Sequence, residues 1–473
     1  MKKLQFIPMV MFLMLVLGTT CAQSSAGAQS EDTSSQAGTG AVISSENPPI
    51  AGLDQPSLES PMPSRSFLLP GAHISESLDS NVGQTSGSSS IQGVTRALGS
   101  LMFQKVGGRT SSALEYVGGI AYYSDYSPSS NQVQELDAEQ RFQWKSGQVT
   151  LRDNFSYLPE GSFGFGVYGD SAAYSLGLDG IGYIGGAIGA SLNGIFGPGQ
   201  FGSLGQAPRI SNMAIVDIDQ DLTRRSALTL AGGYGLVHFT DNTSGFIDSN
   251  QVSGEAAYNY QLSRKNQIAV LYGFQDFHYP NFAGSTFTTH LVNVLFGHRI
   301  TGRMDLIFGG GPQVTIINSP ALGGVSHRIT ASAQASLRYR FPRTSIGIFY
   351  DRVNTSGSGY FLGAVSDIVH FSVSRPLGRT WNAIADVGYA YNSQIQAGVF
   401  GLLPSNTTSF WYLYAGAALQ HQLGRHFSMF VSYQYNDLSF NSSACVTSAC
   451  SEASQRNVAA IGLEWHPHPI RLD

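Results

Sequence analysis

Charged side chains are scarce: Asp, Glu, Lys and Arg make up only 12% of the 473 residues, against roughly a quarter in a typical soluble domain. A chain this poor in charge keeps much of its surface out of water. Beyond the amino terminus no run of 18 apolar residues occurs, which excludes a bundle of membrane-crossing helices. Three cysteines in the whole length exclude a disulfide-dense scaffold. Bases do not outnumber acids, 26 against 31, whereas a nucleic-acid binder needs the reverse. No 3.6-residue period breaks the chain after its first quarter, so helical domains are missing too. What the chain does have is 55 glycines and an aromatic content of 11%. Its mean hydropathy of −0.03 suits strands whose residues alternate between apolar and aqueous surroundings.

The amino terminus reads as an export signal. Lys2 and Lys3 precede an apolar run from Phe6 to Leu17, and Ala26-Gly27-Ala28 supplies a small-x-small cleavage site, so residues 1–28 form a signal peptide. Its removal takes away two lysines and no acid, leaving 31 acidic against 24 basic residues, a formal charge of −7. Cys21 raises a lipoprotein alternative, but Gly18 stands where such signals carry leucine. Residues 29–70 are rich in Ser, Gly, Pro and Gln and nearly free of aromatics, which predicts a disordered tail in the periplasm. Cys445 and Cys450 lie five apart in a Ser/Ala-rich loop, and an oxidising compartment predicts a local disulfide between them. A metal site there lacks nearby histidines or acids in sufficient number. No metal, cofactor or catalytic residue is expected anywhere in the chain.

From residue 71 onward one short turn recurs, each time with a basic residue between two long alternating runs: TRRS at Arg225, SRKN at Arg264, TGRM at Arg303, FPRT at Arg343, LGRT at Arg379 and LGRH at Arg425. The intervals are 39, 39, 40, 36 and 46 residues, room for two strands, a short connection and a longer one, so the unit is a β-hairpin. Turns at Arg109 and Lys145 extend the series backwards. Within the strands, Val252, Gly254, Ala256, Tyr258, Tyr260 and Leu262 alternate with Ser253, Glu255, Ala257, Asn259 and Gln261. The run Ile329 to Phe341 repeats the pattern, one face fit for lipid and the other for water.

In these hairpins, in the aromatic strand ends and in the export signal, the chain resembles Gram-negative outer-membrane β-barrels of the porin kind. The resemblance implies an all-β, single-domain antiparallel barrel over residues 71–473 with 18 strands, or 16 if residues 72–106 belong to the tail or a plug. Such barrels keep short turns in the periplasm and long loops outside, which would put all eight basic turns and both termini in the periplasm. The closing strand RNVAAIGLEWHP resembles the carboxy-terminal signal read by the outer-membrane assembly machinery through Gly462 and Trp465. It departs from it at Pro467 and in the six residues that follow.

By parity, the ionisable residues of the water-facing side are Glu135, Asp137, Glu139, Arg141, Arg152, Asp217, Asp219, Asp221, Glu255, Arg338, Arg340 and Asp386. They either set the ion selectivity of a pore or pair across strands and stabilise its wall. The longest connection, 159–209, carries fifteen glycines between Gly161 and Gly205 and is either a lumen constriction or a surface loop. Its GFGVYG and GIGYIG match a dinucleotide fingerprint by chance, lacking the strand-turn-helix context. Asp276 and His278 resemble the rim pair of omptin-type proteases, yet they share the lipid-facing parity of Ile268, Val270 and Tyr272, and the acidic cluster at Asp217 approaches the other end. A phospholipase triad has no supporting spacing either, so an enzyme is not expected.

The leading expectation is a pore for small solutes, in contact with outer-membrane lipids and, during insertion, the assembly machinery, and binding no nucleic acid. The alternative is a barrel for adhesion or for polysaccharide or protein export. GAHISESLDSN resembles the opening strand of exopolysaccharide-secretion barrels.

Overall fold

The computed structural model describes residues 49–51, 66–82, 90–125, 130–158, 209–240, 246–282, 285–319, 324–341, 343–357, 359–395, 409–441 and 453–472. The export signal, the glycine-rich loop and both loop cysteines lie outside the described residues.

The first nine strands are β1 (Phe67–Asp79), β2 (Gln92–Val106), β3 (Thr110–Tyr123), β4 (Ser130–Trp144), β5 (Gly147–Leu158), β6 (Arg209–Thr223), β7 (Ser226–Phe239), β8 (Ser249–Gln261) and β9 (Asn266–His278). The rest are β10 (Thr286–Thr301), β11 (Met304–Ser319), β12 (Gly324–Arg340), β13 (Ser345–Thr355), β14 (Ala364–Pro376), β15 (Trp381–Gln394), β16 (Ser409–Gln422), β17 (Phe427–Phe440) and β18 (Ala453–Trp465). Each pairs antiparallel with its sequence neighbours, and β1 closes the ring on β18 from Ala72 opposite Trp465 to Asp79 opposite Val458. The result is a closed barrel of 18 antiparallel strands. A two-residue segment, Ile470–Arg471, adds a last pairing to Phe67 and Leu68.

Between the two pairings the closing ladder is interrupted at His466–Pro469. Pro70 of β1 sits opposite that gap, where its missing N–H costs no inter-strand bond. β1 therefore starts at Phe67, four residues before the expected boundary.

Why these residues form one continuous wall is visible in their alternation. Along β8, Ser249, Gln251, Ser253, Ala257, Asn259 and Gln261 are buried inside the ring, while Val252, Ala256, Tyr258 and Tyr260 are exposed outside it. The outer face elsewhere carries Leu230, Tyr234, Val270, Tyr272, Val292, Val294, Val369, Tyr389, Val431 and Ile461, all exposed. An apolar belt of that extent has no place in water, so it is the lipid-facing surface.

The eight short connections collect at one end of the ring, the turn end. The longer ones, including 240–248, 279–285 and 356–363, collect at the other, the loop end. Both register shifts, at Arg299/Thr301 and Asp221/Thr223, fall beside short turns, a common place for bulges.

Candidate pore and its inner loop

Inward parity brings an acidic arc onto β3–β8. Glu115, Glu135, Asp137, Glu139, Asp217, Asp219, Asp221 and Glu255 line it, against Arg141, Arg152 and Arg209. Part of this charge stabilises the wall itself. Glu139 accepts from Arg152 Nε at 2.8 Å and from Arg141 at 3.2 Å, and Asn154 donates to Asp137. Asp219 accepts from Thr229 Oγ1 at 2.7 Å and Gln148 Nε2 at 3.2 Å.

The remaining sequence candidates stand on the opposite arc. Arg338 lies over the Phe349 ring, 5.7 Å from its centre, and Asp386 is 2.6 Å from His370 Nε2 with both side chains buried. The Arg340 side chain lies outside the described residues. Arg109, Lys145, Arg225, Arg264, Arg303, Arg343, Arg379 and Arg425 all stand in the short connections of the turn end.

Several inward groups escaped sequence reading. Asp79 accepts from Arg456 Nε with both oxygens, at 2.9 and 2.8 Å, across the β1–β18 seam. Arg96 donates to Ser77 Oγ at 2.8 Å. His73 stacks on Phe430 beside Glu464, which also accepts from Ser428 at 2.7 Å. They were missed because the first hairpin carries no basic turn upstream of it to anchor its register.

The most consequential element is the connection 356–363. As one of the longer connections it is expected to lie outside, yet every described residue from Val353 to Ser366 is buried. Its fold depends on three glycines. Gly357, Gly359 and Gly363 have φ of +89°, +82° and +86°, a region that costs a side-chain-bearing residue about 1–2 kcal/mol. Space is as restrictive as φ. A Cβ at Gly359 would stand 2.7 Å from the Phe239 ring, and one at Gly363 2.6 Å from Phe287.

These turns aim Tyr360, Phe361 and Leu362 into the lumen. Tyr360 meets Phe246 at 5.4 Å on one side and Phe410 and Phe440 at 5.5 and 5.1 Å on the other. Ile247 N–H donates to Gly359 O at 2.9 Å, and Tyr279 donates its hydroxyl to Ser356 O at 3.1 Å. Burial holds the Tyr279 phenol neutral well above the ordinary tyrosine range. In a ring of 18, β7 and β16 stand nine strands apart, so the inner loop bridges diametrically opposed walls. The connection 159–209, expected to be either a lumen constriction or a surface loop, lies outside the described residues apart from Arg209, which is the buried first residue of β6.

Among the described residues no catalytic constellation forms at the rim. Asp276 faces outward and accepts from Thr288 Oγ1 at 2.7 Å, and its acidic counterparts are at the turn end. Among the described residues no group of three His, Cys, Asp or Glu is placed to hold a metal ion.

A closed ring of 18 antiparallel strands, apolar on its outer face and with charged and polar residues between apolar ones inside, is the architecture of a Gram-negative outer-membrane barrel of the porin kind. Solved structures with a similar fold include the Pseudomonas aeruginosa proteins OccK2 in complex with glucuronate (10% identity, TM-score 0.42, 86% of this chain and 98% of that one) and OpdK with vanillate (9%, 0.41, 85% and 98%). OpdQ of the same organism follows at 11% identity and TM-score 0.39, over 85% of this chain and 97% of that one. No protein-family model matches the chain, and no curated protein does.

Proposed function

We propose that the chain is a selective pore for small solutes in the outer membrane of a Gram-negative bacterium, with the turn end and both termini in the periplasm. The reading rests chiefly on the inner wall. Barrels of this strand number are wide enough for a lumen, and the face turned inward carries polar and charged side chains between its apolar ones. Thr150 Oγ1, Ser253 Oγ and Gln313 Oε1 are buried with no hydrogen-bond partner among the described residues. Such groups call for water around them.

Eight acids against three arginines on one arc make the pore cation-preferring. The solute is small because Tyr360 and its aromatic neighbours narrow the loop end. Nothing in this reading requires catalysis.

Planar-bilayer recording tests it. Purified full-length barrel should give stepwise currents, with a reversal potential under a salt gradient displaced toward the cation value. The double variant Glu135→Gln/Asp137→Asn should move that potential back toward zero. Correctly folded barrel that produces no current steps in either form would sink the pore.

A further inference from the structure

Ile50 and Ala51, within the stretch expected to be free tail, are buried inside the barrel, with Pro49 half-buried beside them. Ile50 and Ala51 are each 4% exposed and belong to one apolar cluster with Ala257, Ala269, Leu295 and Ile307 of the inner wall. Asn259 Oδ1 accepts both of their backbone N–H groups, from Ile50 at 3.0 Å and Ala51 at 3.1 Å.

We propose that the inner wall at Asn259 and Gly297 is a binding site for a short apolar peptide bend, with Ile50–Ala51 of the chain's own amino-terminal arm as its resident ligand. Its consequence for conduction rests on the pore reading above; its existence does not.

Two features look built for this occupant. The Asn259 amide is held in one orientation: its nitrogen donates to Thr229 Oγ1 at 3.2 Å, and that hydroxyl donates onward to Asp219 Oδ1 at 2.7 Å. A flipped amide would set its NH2 against two N–H donors and lose both bonds. Beside it, Gly297 leaves the hollow that Ile50 fills. A Cβ there would stand 3.1 Å from Ile50 Cγ2 and 3.4 Å from Cδ1.

The arm's own sequence suits the role. Two prolines, Pro48 and Pro49, precede Ile50 in the sequence, and their restricted φ lowers the entropy lost on docking. Asn259 and Gly297 both lie next to short connections, so the arm occupies the turn end. That wall is also far from where the chain joins the barrel, since β10 stands nine strands from β1. The fifteen peptide steps from Ala51 to Ser66 can span about 50 Å, enough to cross a lumen. A solute crossing the turn end meets this segment and passes only when the arm leaves.

Disulfide trapping tests the site. In a full-length chain carrying Cys445→Ser and Cys450→Ser, the pair Ile50→Cys/Gly297→Cys should form an internal disulfide under mild oxidation in isolated outer membranes. The pair Ile50→Cys/Ser432→Cys, aimed at the inner face of β17, should not. Equal trapping by both pairs, or none by the first, would overturn the proposal.

Conductance then tests the consequence. Deleting residues 29–51 should raise the unitary conductance or open fraction, and a synthetic peptide NPPIAGLD added on the turn side should lower it again; a deletion that conducts like the full chain would overturn the obstruction. Trapping at Gly297 in a barrel silent with or without the arm would leave the peptide site standing and remove the pore.

Discussion

At the scale of single residues, three groups decide the shape of the lumen. Gly359 combines a left-handed backbone with a ring 2.7 Å from where a Cβ would be. Gly359→Ala should therefore destabilise the inner loop by at least about 1–2 kcal/mol, and single-channel recordings should show more frequent transitions to larger conductance. Tyr360→Ala removes the ring that touches both walls, costs about 3 kcal/mol of local packing and should enlarge the limiting size of neutral polymers that enter. An unchanged size limit in a folded variant would mean the loop does not set it. At the seam, Asp79→Ala would leave Arg456 buried without its carboxylate, a loss of about 3–5 kcal/mol. The midpoint of the heat-modifiable band shift on denaturing gels should fall accordingly.

At the scale of elements, strands and connections differed in how far the sequence revealed them. A membrane strand faces only lipid or lumen, so period two and a basic turn suffice to place β8 or β12 and to orient Asp217 or Glu255. What a connection does depends instead on residues distant in the chain. The inward turn of 356–363 rests on Phe239, Phe246, Phe410 and Phe440, and no local pattern announces such partners. The G-x-G-x-x-x-G spacing around YFL was the one visible signal: glycines for positive φ flanking an apolar tip that has no reason to face water. The same holds for Ile50, an aliphatic residue after two prolines in an otherwise polar arm. The acidic arc of β3–β8 makes a prediction at this scale too. Charge removal there should alter ion preference, whereas Asp386→Asn, whose partner is His370, should alter wall stability more than selectivity. Reversal potentials and melting midpoints measured on both variants separate the two effects.

At the scale of the whole molecule, the ring closes only when β1 meets β18, pairing His73 with Glu464 and Asp79 with Val458. These partners are nearly the full chain apart, so closure is the contact of greatest sequence separation and the last that loop entropy permits. Until it forms, β1 and β18 are bare sheet edges with unpaired N–H and C=O groups, the kind that recruits other chains. Truncation after Phe440 should therefore yield no compact heat-modifiable species and a concentration-dependent aggregate instead. The interruption at His466–Pro469 adds a kinetic consequence. Because Pro467 and Pro469 cannot donate to β1, the seam cannot extend from Trp465 residue by residue to Ile470. It joins as two separate patches, leaving a short unpaired notch at that rim of the seam.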